Sequence, residues 1–230
     1  MPRRALIYGW SIVAVGIVTA LGAALSWKTT DALSFIVCFA LAALASTFKL
    51  KLPGLTGTIS PSFVFVLVAI GQLSWTETVL ISAVSALVQS VWRPKAKPMA
   101  LQLGFNASTL AIAGGLAHGV SHGLAMPVVG VTQIVLVAVA GLVLLITNTL
   151  LVSVILCLVK QTPLQAVWQA LQTWAVPYYL AGGLLASVWV RTPLSQAVWV
   201  GVLASVSVYL LSVSSRGMLE QNVGRNSEEK

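Results

Sequence analysis

The sequence predicts an all-α fold, a polytopic integral membrane helical bundle of about eight transmembrane segments, with both termini cytoplasmic. Three observations predict it. Of the 230 residues, 58% are hydrophobic and 8% charged, against about 25% charged in soluble domains. The apolar excess runs along nearly the whole chain, parted by short polar joints, so a leader followed by a soluble domain is excluded and no cleavable leader is expected. Basic residues collect at alternate joints. A backbone in hydrocarbon must satisfy its own hydrogen bonds, which segments of this length do as helices. A single transmembrane domain, residues 1–214, then precedes a short polar cytoplasmic tail, residues 215–230.

The first span, Ala5–Ser26, follows Arg3 and Arg4 and carries Tyr8 and Trp10 near its inner end and Trp27 just past its outer end, the aromatic pattern of a membrane interface. The second, Asp31–Phe48, opens on a carboxylate, which the helix dipole favours in a first turn. The third, Thr58–Leu73, is irregular at its start. In "LPGLTGTISPSF", Gly54 and Gly57 permit unusual backbone geometry, and Ser60 before Pro61 reads as an N-cap followed by proline at the first helical position. The 13 residues from Pro61 to Leu73 make about 20 Å of helix, too short for ~30 Å of hydrocarbon. The Gly-Thr-rich segment is therefore expected to dip into the membrane, covered by protein or lining a cavity.

The fourth span, Thr76–Trp92, again begins with a capping carboxylate, Glu77. The fifth, Met99–Gly119, sets Gln102, Asn106, Ser108 and Thr109 in an apolar helix, so that side should face protein or a cavity. Its sequon at Asn106 lies inside the span, out of reach of glycosylation. Near its end, Gly115, Gly119 and Gly123 form a small-residue stripe for close helix packing. His118 and His122 stand four apart beside it, a metal-ligand spacing that lacks a third donor unless Asp31 or Glu77 converges by folding.

The sixth span, Val128–Val159, has 32 residues, about 48 Å as a helix. Splitting it would put Lys160 and the tail arginines outside, so one long helix is expected, with Asn148 and Thr149 the place for a break. The seventh, Leu164–Val190, begins amphipathically, passes Pro177, and offers two hydroxyls at Tyr178 and Tyr179. The eighth is Leu194–Ser214. With this threading Arg3, Arg4, Lys49, Lys51, Arg93, Lys95, Lys97, Lys160, Arg216, Arg225 and Lys230 lie inside, and Lys28 and Arg191 outside. The net charge of +8 is thus a topology signal, and no nucleic-acid partner is expected.

Chemistry has little to stand on. Cys38 and Cys157 lie at no metal-ligand spacing and read as buried small hydrophobes. No nucleophile–His–acid set, P-loop, HExxH or cyclic-nucleotide motif can be assembled, so neither enzymatic activity nor a cofactor is expected. Besides the bilayer itself, the expected partner is a small-molecule or lipid ligand held among spans three, five, six and seven. The candidate ligand-binding residues are Thr58, Ser60, Gln102, Asn106, Asn148 and Tyr178; the candidate metal residues are His118 and His122.

Several polar landmarks carry a family resemblance. They are Leu52-Pro53-Gly54, Gly57-Thr58, Ser60, Phe63 and Phe65; Glu77-Thr78; Gln89 to Trp92; Phe105-Asn106; Asn148-Thr149-Leu150; and Trp174 with Pro177-Tyr178-Tyr179. Over roughly residues 30 to 215 the chain resembles the N-terminal multi-pass membrane sensor (MASE-like) domains found ahead of GGDEF or HD-GYP output domains in bacterial cyclic di-GMP signalling proteins. The resemblance implies a sensory module of the bacterial inner membrane. After Ser214 only 16 residues follow, without an output domain, so synthesis of cyclic di-GMP does not carry over. A signal would pass to a separate cytoplasmic or membrane partner protein. The alternative is a transporter, or the substrate-binding membrane subunit of one. Scarce buried charge argues against ion coupling in that case, and inverted repeats, which would favour transport, are not evident.

Overall fold

The structure, a computed structural model, describes residues 1–27, 29, 31–51, 58–94, 97–124 and 131–190. The eighth span and the tail lie outside the described residues, as do Lys28, Pro53, Gly54, Gly57, Lys95 and Arg191. Seven α-helices form α1 (Arg3–Leu25), α2 (Ala32–Ser46), α3 (Ser62–Gln72), α4 (Trp75–Val91), α5 (Ala100–Gly123), α6 (Val131–Lys160) and α7 (Leu164–Val190). Between α2 and α3 the strands β1 (Leu50–Lys51) and β2 (Thr58–Ile59) pair antiparallel, Leu50 opposite Ile59 and Lys51 opposite Thr58. By length and apolarity, α1, α5 and α6 suffice to cross a membrane; α2, α3, α4 and the apolar part of α7 are shorter.

Contacts along the helices fix their directions. Gly9 lies against Leu101 and Gly16 against Ser108, so α1 and α5 run parallel. The Cys38 thiol donates to the Phe65 carbonyl (3.3 Å) and the Ser60 hydroxyl to that of Ala45 (2.9 Å), making α2 and α3 antiparallel. The Trp75 indole donates to the Gly115 carbonyl (3.2 Å) and the Asn106 amide to the Ser90 hydroxyl (3.0 Å), which sets α4 against α5. Leu67 beside Gly141 and Gly71 beside Val137 oppose α3 to α6. Phe63 meets Tyr178 and Gly71 meets Val190, so α3 and α7 agree. Gly114 beside Val66 and His118 at the Leu73 carbonyl align α5 with α3, so odd-numbered helices run one way and even-numbered ones the other, the alternation expected of consecutive membrane spans.

The first helical turns follow from their caps. Asp31 accepts from the Leu33 N–H (3.1 Å) and the Ser34 hydroxyl (2.6 Å) at the start of α2. Ser74 and Glu77 form a reciprocal capping box on α4, in which the Glu77 carboxylate accepts from the Ser74 N–H (2.9 Å) and hydroxyl (2.8 Å). Glu77 caps as expected and is fully buried; α5 packs against the same turn, where the Trp75 indole meets the Gly115 carbonyl and His118 the Leu73 carbonyl. At α3 the helix begins at Ser62, one residue later than expected. Pro61 is its N-cap, and the Ser60 hydroxyl accepts from the Ser62 N–H at 3.3 Å.

The shortness of α3 has a structural reason. Val66, Leu67, Val68, Ala69 and Ile70 are all at most 2% exposed, so this helix is wrapped on every side by protein. It carries its apolar run without having to meet lipid. The large exposed apolar side chains instead sit on the periphery, among them Val18 and Leu25 on α1 and Leu180 and Leu184 on α7. The inner face of α1 is small: Ala5, Gly9, Gly16 and Ala23 are buried, and a Cβ at Gly16 would overlap Ser108. No break occurs at Asn148–Thr149, where α6 continues unbroken, nor at Pro177 in α7. Trp189 is buried, its ring edge-on to Phe65 at 5.7 Å.

Candidate functional site

The polar residues singled out by sequence fall in separate places. Thr58 lies in β2 opposite Lys51. Ser60 is buried where α2 ends and α3 begins, tied to Ala45 and Ser62. Asn106 bonds Ser90 across the α4–α5 seam, and Ser90 in turn donates to the Ala86 carbonyl at 2.8 Å. Gln102, on the expected polar side of the fifth span, is exposed. It stands in the first turn of α5, where a long amide reaches out of the bundle end, whereas Ser108 and Thr109 deeper along the helix are buried.

Asn148 and Tyr178 come together with residues the spacing argument did not select. Phe63, in the first turn of α3, packs between two tyrosines of α7, with ring centroids 4.4 Å from Tyr178 and 4.7 Å from Tyr179. Asn148 of α6 lies in side-chain hydrogen-bonding reach of the Tyr179 hydroxyl. The Tyr178 hydroxyl is buried without a hydrogen-bond partner among the described residues. Gly182 lets this contact form, since a Cβ there would enter the Phe63 ring. Three helices thus meet at one polar and aromatic cluster with no charged member.

A second polar feature is the inner face of α4. Thr78, Ser82 and Ser85 are fully buried at helical spacing. Ser82 donates to the Thr78 carbonyl (2.7 Å), while the hydroxyls of Thr78 and Ser85 have no partner among the described residues. The sequence signal was available in the spacing of three small hydroxyl residues, i, i+4 and i+7, within an apolar helix.

His118 and His122 do share a face of α5. Their rings stack in parallel at 4.0 Å, 10° between planes. A carbonyl only accepts, so His118 donates through Nε2 to Leu73 (3.1 Å) and His122 through Nδ1 to the His118 carbonyl (3.0 Å). Among the described residues no three His, Cys, Asp or Glu side chains group closely enough to hold a metal ion. His122, Ser121 and Gln133 line a cavity of about 20 Å³ with Ile70 and Gly71, the room of a single water molecule.

Three helices long and apolar enough to cross a membrane, an apolar periphery and alternating helix directions are the features of a multi-pass membrane protein. Comparison with family models makes this specific: the MASE9 model matches residues 10–213. The chain belongs to the MASE9 family, whose domains are membrane-associated sensory input modules. No curated protein and no solved structure matches the chain.

Proposed function

We propose that this chain is a non-enzymatic sensory input domain of the bacterial inner membrane, with about eight spans and both termini cytoplasmic. It holds a small or lipophilic ligand inside the bundle and passes the signal to a separate partner protein. Family membership supports the sensory reading, and the cluster of Asn148, Tyr178, Tyr179 and Phe63 supports the ligand site. Polar side chains at membrane depth are costly and point to function, and this cluster joins α3, α6 and α7. Ligand occupancy that shifts one of the three helices would be felt by the other two.

A native mass spectrum of the protein in mild detergent tests the reading. A stoichiometric small-molecule adduct is expected on the wild type and is expected to be lost in Asn148→Leu. Asn106→Leu reports whether the α4–α5 seam belongs to the same site. An adduct unchanged in both variants removes these residues from the site, and accumulation of a solute in proteoliposomes would make the protein a carrier instead.

A further inference from the structure

One packed layer near the start of α1 brings three helices together. Val13 of α1 with Leu101 and Phe105 of α5 form a buried apolar cluster, and Tyr8 and Ile12 of α1 and Val152 and Ile155 of α6 pack against it. The Tyr8 hydroxyl donates to the Leu151 carbonyl (3.2 Å) and Gly9 lies against Leu101, which fixes the register of the three helices. Just beyond this layer, at one end of the bundle, stand Arg4, four residues before Tyr8, Lys97, four before Leu101, and Lys160, five after Ile155. Arg3 adjoins Arg4, and all four cations are exposed. The carboxylates of Asp31 and Glu77 belong to the opposite end, and no other is found among the described residues.

Such a rim attracts an anion, and its surroundings select the kind. Leu6, Ile7 and Trp10 of α1, within two turns of Arg4, are 38%, 59% and 55% exposed, so the charge borders directly on an apolar surface. An acidic peptide or a free phosphate would use only the charge; an amphiphile uses both. Axes of packed helices lie about 8–10 Å apart, a wider spacing than one phosphate group bridges. We propose that Arg3, Arg4, Lys97 and Lys160 bind the headgroup of a phospholipid with two phosphates, cardiolipin, whose acyl chains lie along the exposed face of α1. Long basic side chains suit this place, since their stems rest on apolar surface while their heads reach the phosphate level. The site is separate from the Asn148 cluster and does not depend on the sensory reading. Lys49 provides an internal comparison: it follows α2, which packs on α3 and α4, so it stands at the same end but outside the rim of α1, α5 and α6.

The test uses the whole protein in phosphatidylcholine nanodiscs carrying either cardiolipin or phosphatidylglycerol at matched total charge. Lipid retention is read by native mass spectrometry and stability by the melting temperature. The wild type is expected to retain cardiolipin and to melt higher with it than with phosphatidylglycerol. Arg4→Gln and Lys160→Gln should each weaken retention roughly fivefold, Lys160→Arg should keep it, and Lys49→Gln should leave it unchanged. The replaced side chains are exposed, so melting in phosphatidylcholine alone should stay as in the wild type. An equal loss in Lys49→Gln, or a wild type that does not distinguish cardiolipin from charge-matched phosphatidylglycerol, overturns the proposal. Binding of polyglutamate to the wild type without any lipid preference, weakened by Lys160→Gln, assigns the rim to a protein partner and overturns it as well. The native adduct that Asn148→Leu is expected to lose should persist in every rim variant, so failure here leaves the sensory reading standing.

Discussion

Gly16 and Gly182 each stand where another helix leaves no space for a side chain, but the obstacles differ. A Cβ at Gly182 would overlap the far end of the Phe63 ring, while one at Gly16 would meet Ser108 down to its Cα. Alanine at either position is expected to destabilise the protein by roughly 1–3 kcal/mol, measured by denaturation in detergent micelles. The double variants separate the two cases. Phe63→Leu should relieve much of the Gly182→Ala penalty, with a coupling of at least about 0.5 kcal/mol. Ser108→Ala should leave the Gly16→Ala penalty largely in place, because the obstructing backbone remains. At this scale the sequence displays Gly182 plainly beside Tyr178 and Tyr179, but nothing in it names Phe63 as the ring that needs the space. Such a partnership joins residues more than a hundred positions apart and exists only once α3 and α7 lie side by side.

Among the elements, α4 owes its start to the box formed by Ser74 and Glu77. Ser74→Ala removes the hydroxyl that accepts the Glu77 N–H and donates to its carboxylate, and is expected to lower stability by about 1 kcal/mol, with Ser74→Thr restoring most of it. The cap was readable from sequence because it is local: Ser, then Glu three residues later, then an apolar run. The burial of Glu77 was not readable, since it depends on which helices cover the α3–α4 turn. The same division runs through the other elements. The start of α7 at Leu164 follows from periodicity and the proline before it, and the structure reproduces it. An apolar run such as that of α3 looks alike whether it meets lipid or protein, so its sequence could reveal shortness but not the wrapping that makes shortness tolerable. For the candidate site, Asn148 and Tyr178 were legible as polar residues in apolar helices, while the separation of Ser60, Asn106 and Asn148 into different seams required the packing.

Across the whole molecule, the alternation of helix directions turns the charge pattern into a testable threading. In a Cys38→Ser, Cys157→Ser background, Ser26→Cys at the end of α1 is expected to react with a membrane-impermeant maleimide in intact cells. Gln161→Cys, just beyond α6, should react only after the cells are permeabilised; the opposite pattern would invert the orientation proposed from the basic residues. The threading also places two unequal lengths side by side. With 30 residues α6 extends about 45 Å, and with 11 residues α3 extends about 16 Å, on either side of the ~30 Å of hydrocarbon. A thicker or thinner bilayer changes the fit of α6, which has to tilt or project to match it, but hardly touches α3, which protein encloses. Bilayer thickness therefore acts on one member of the pair alone. The seam where Leu67 meets Gly141 and Gly71 meets Val137 is where that mismatch has to be absorbed.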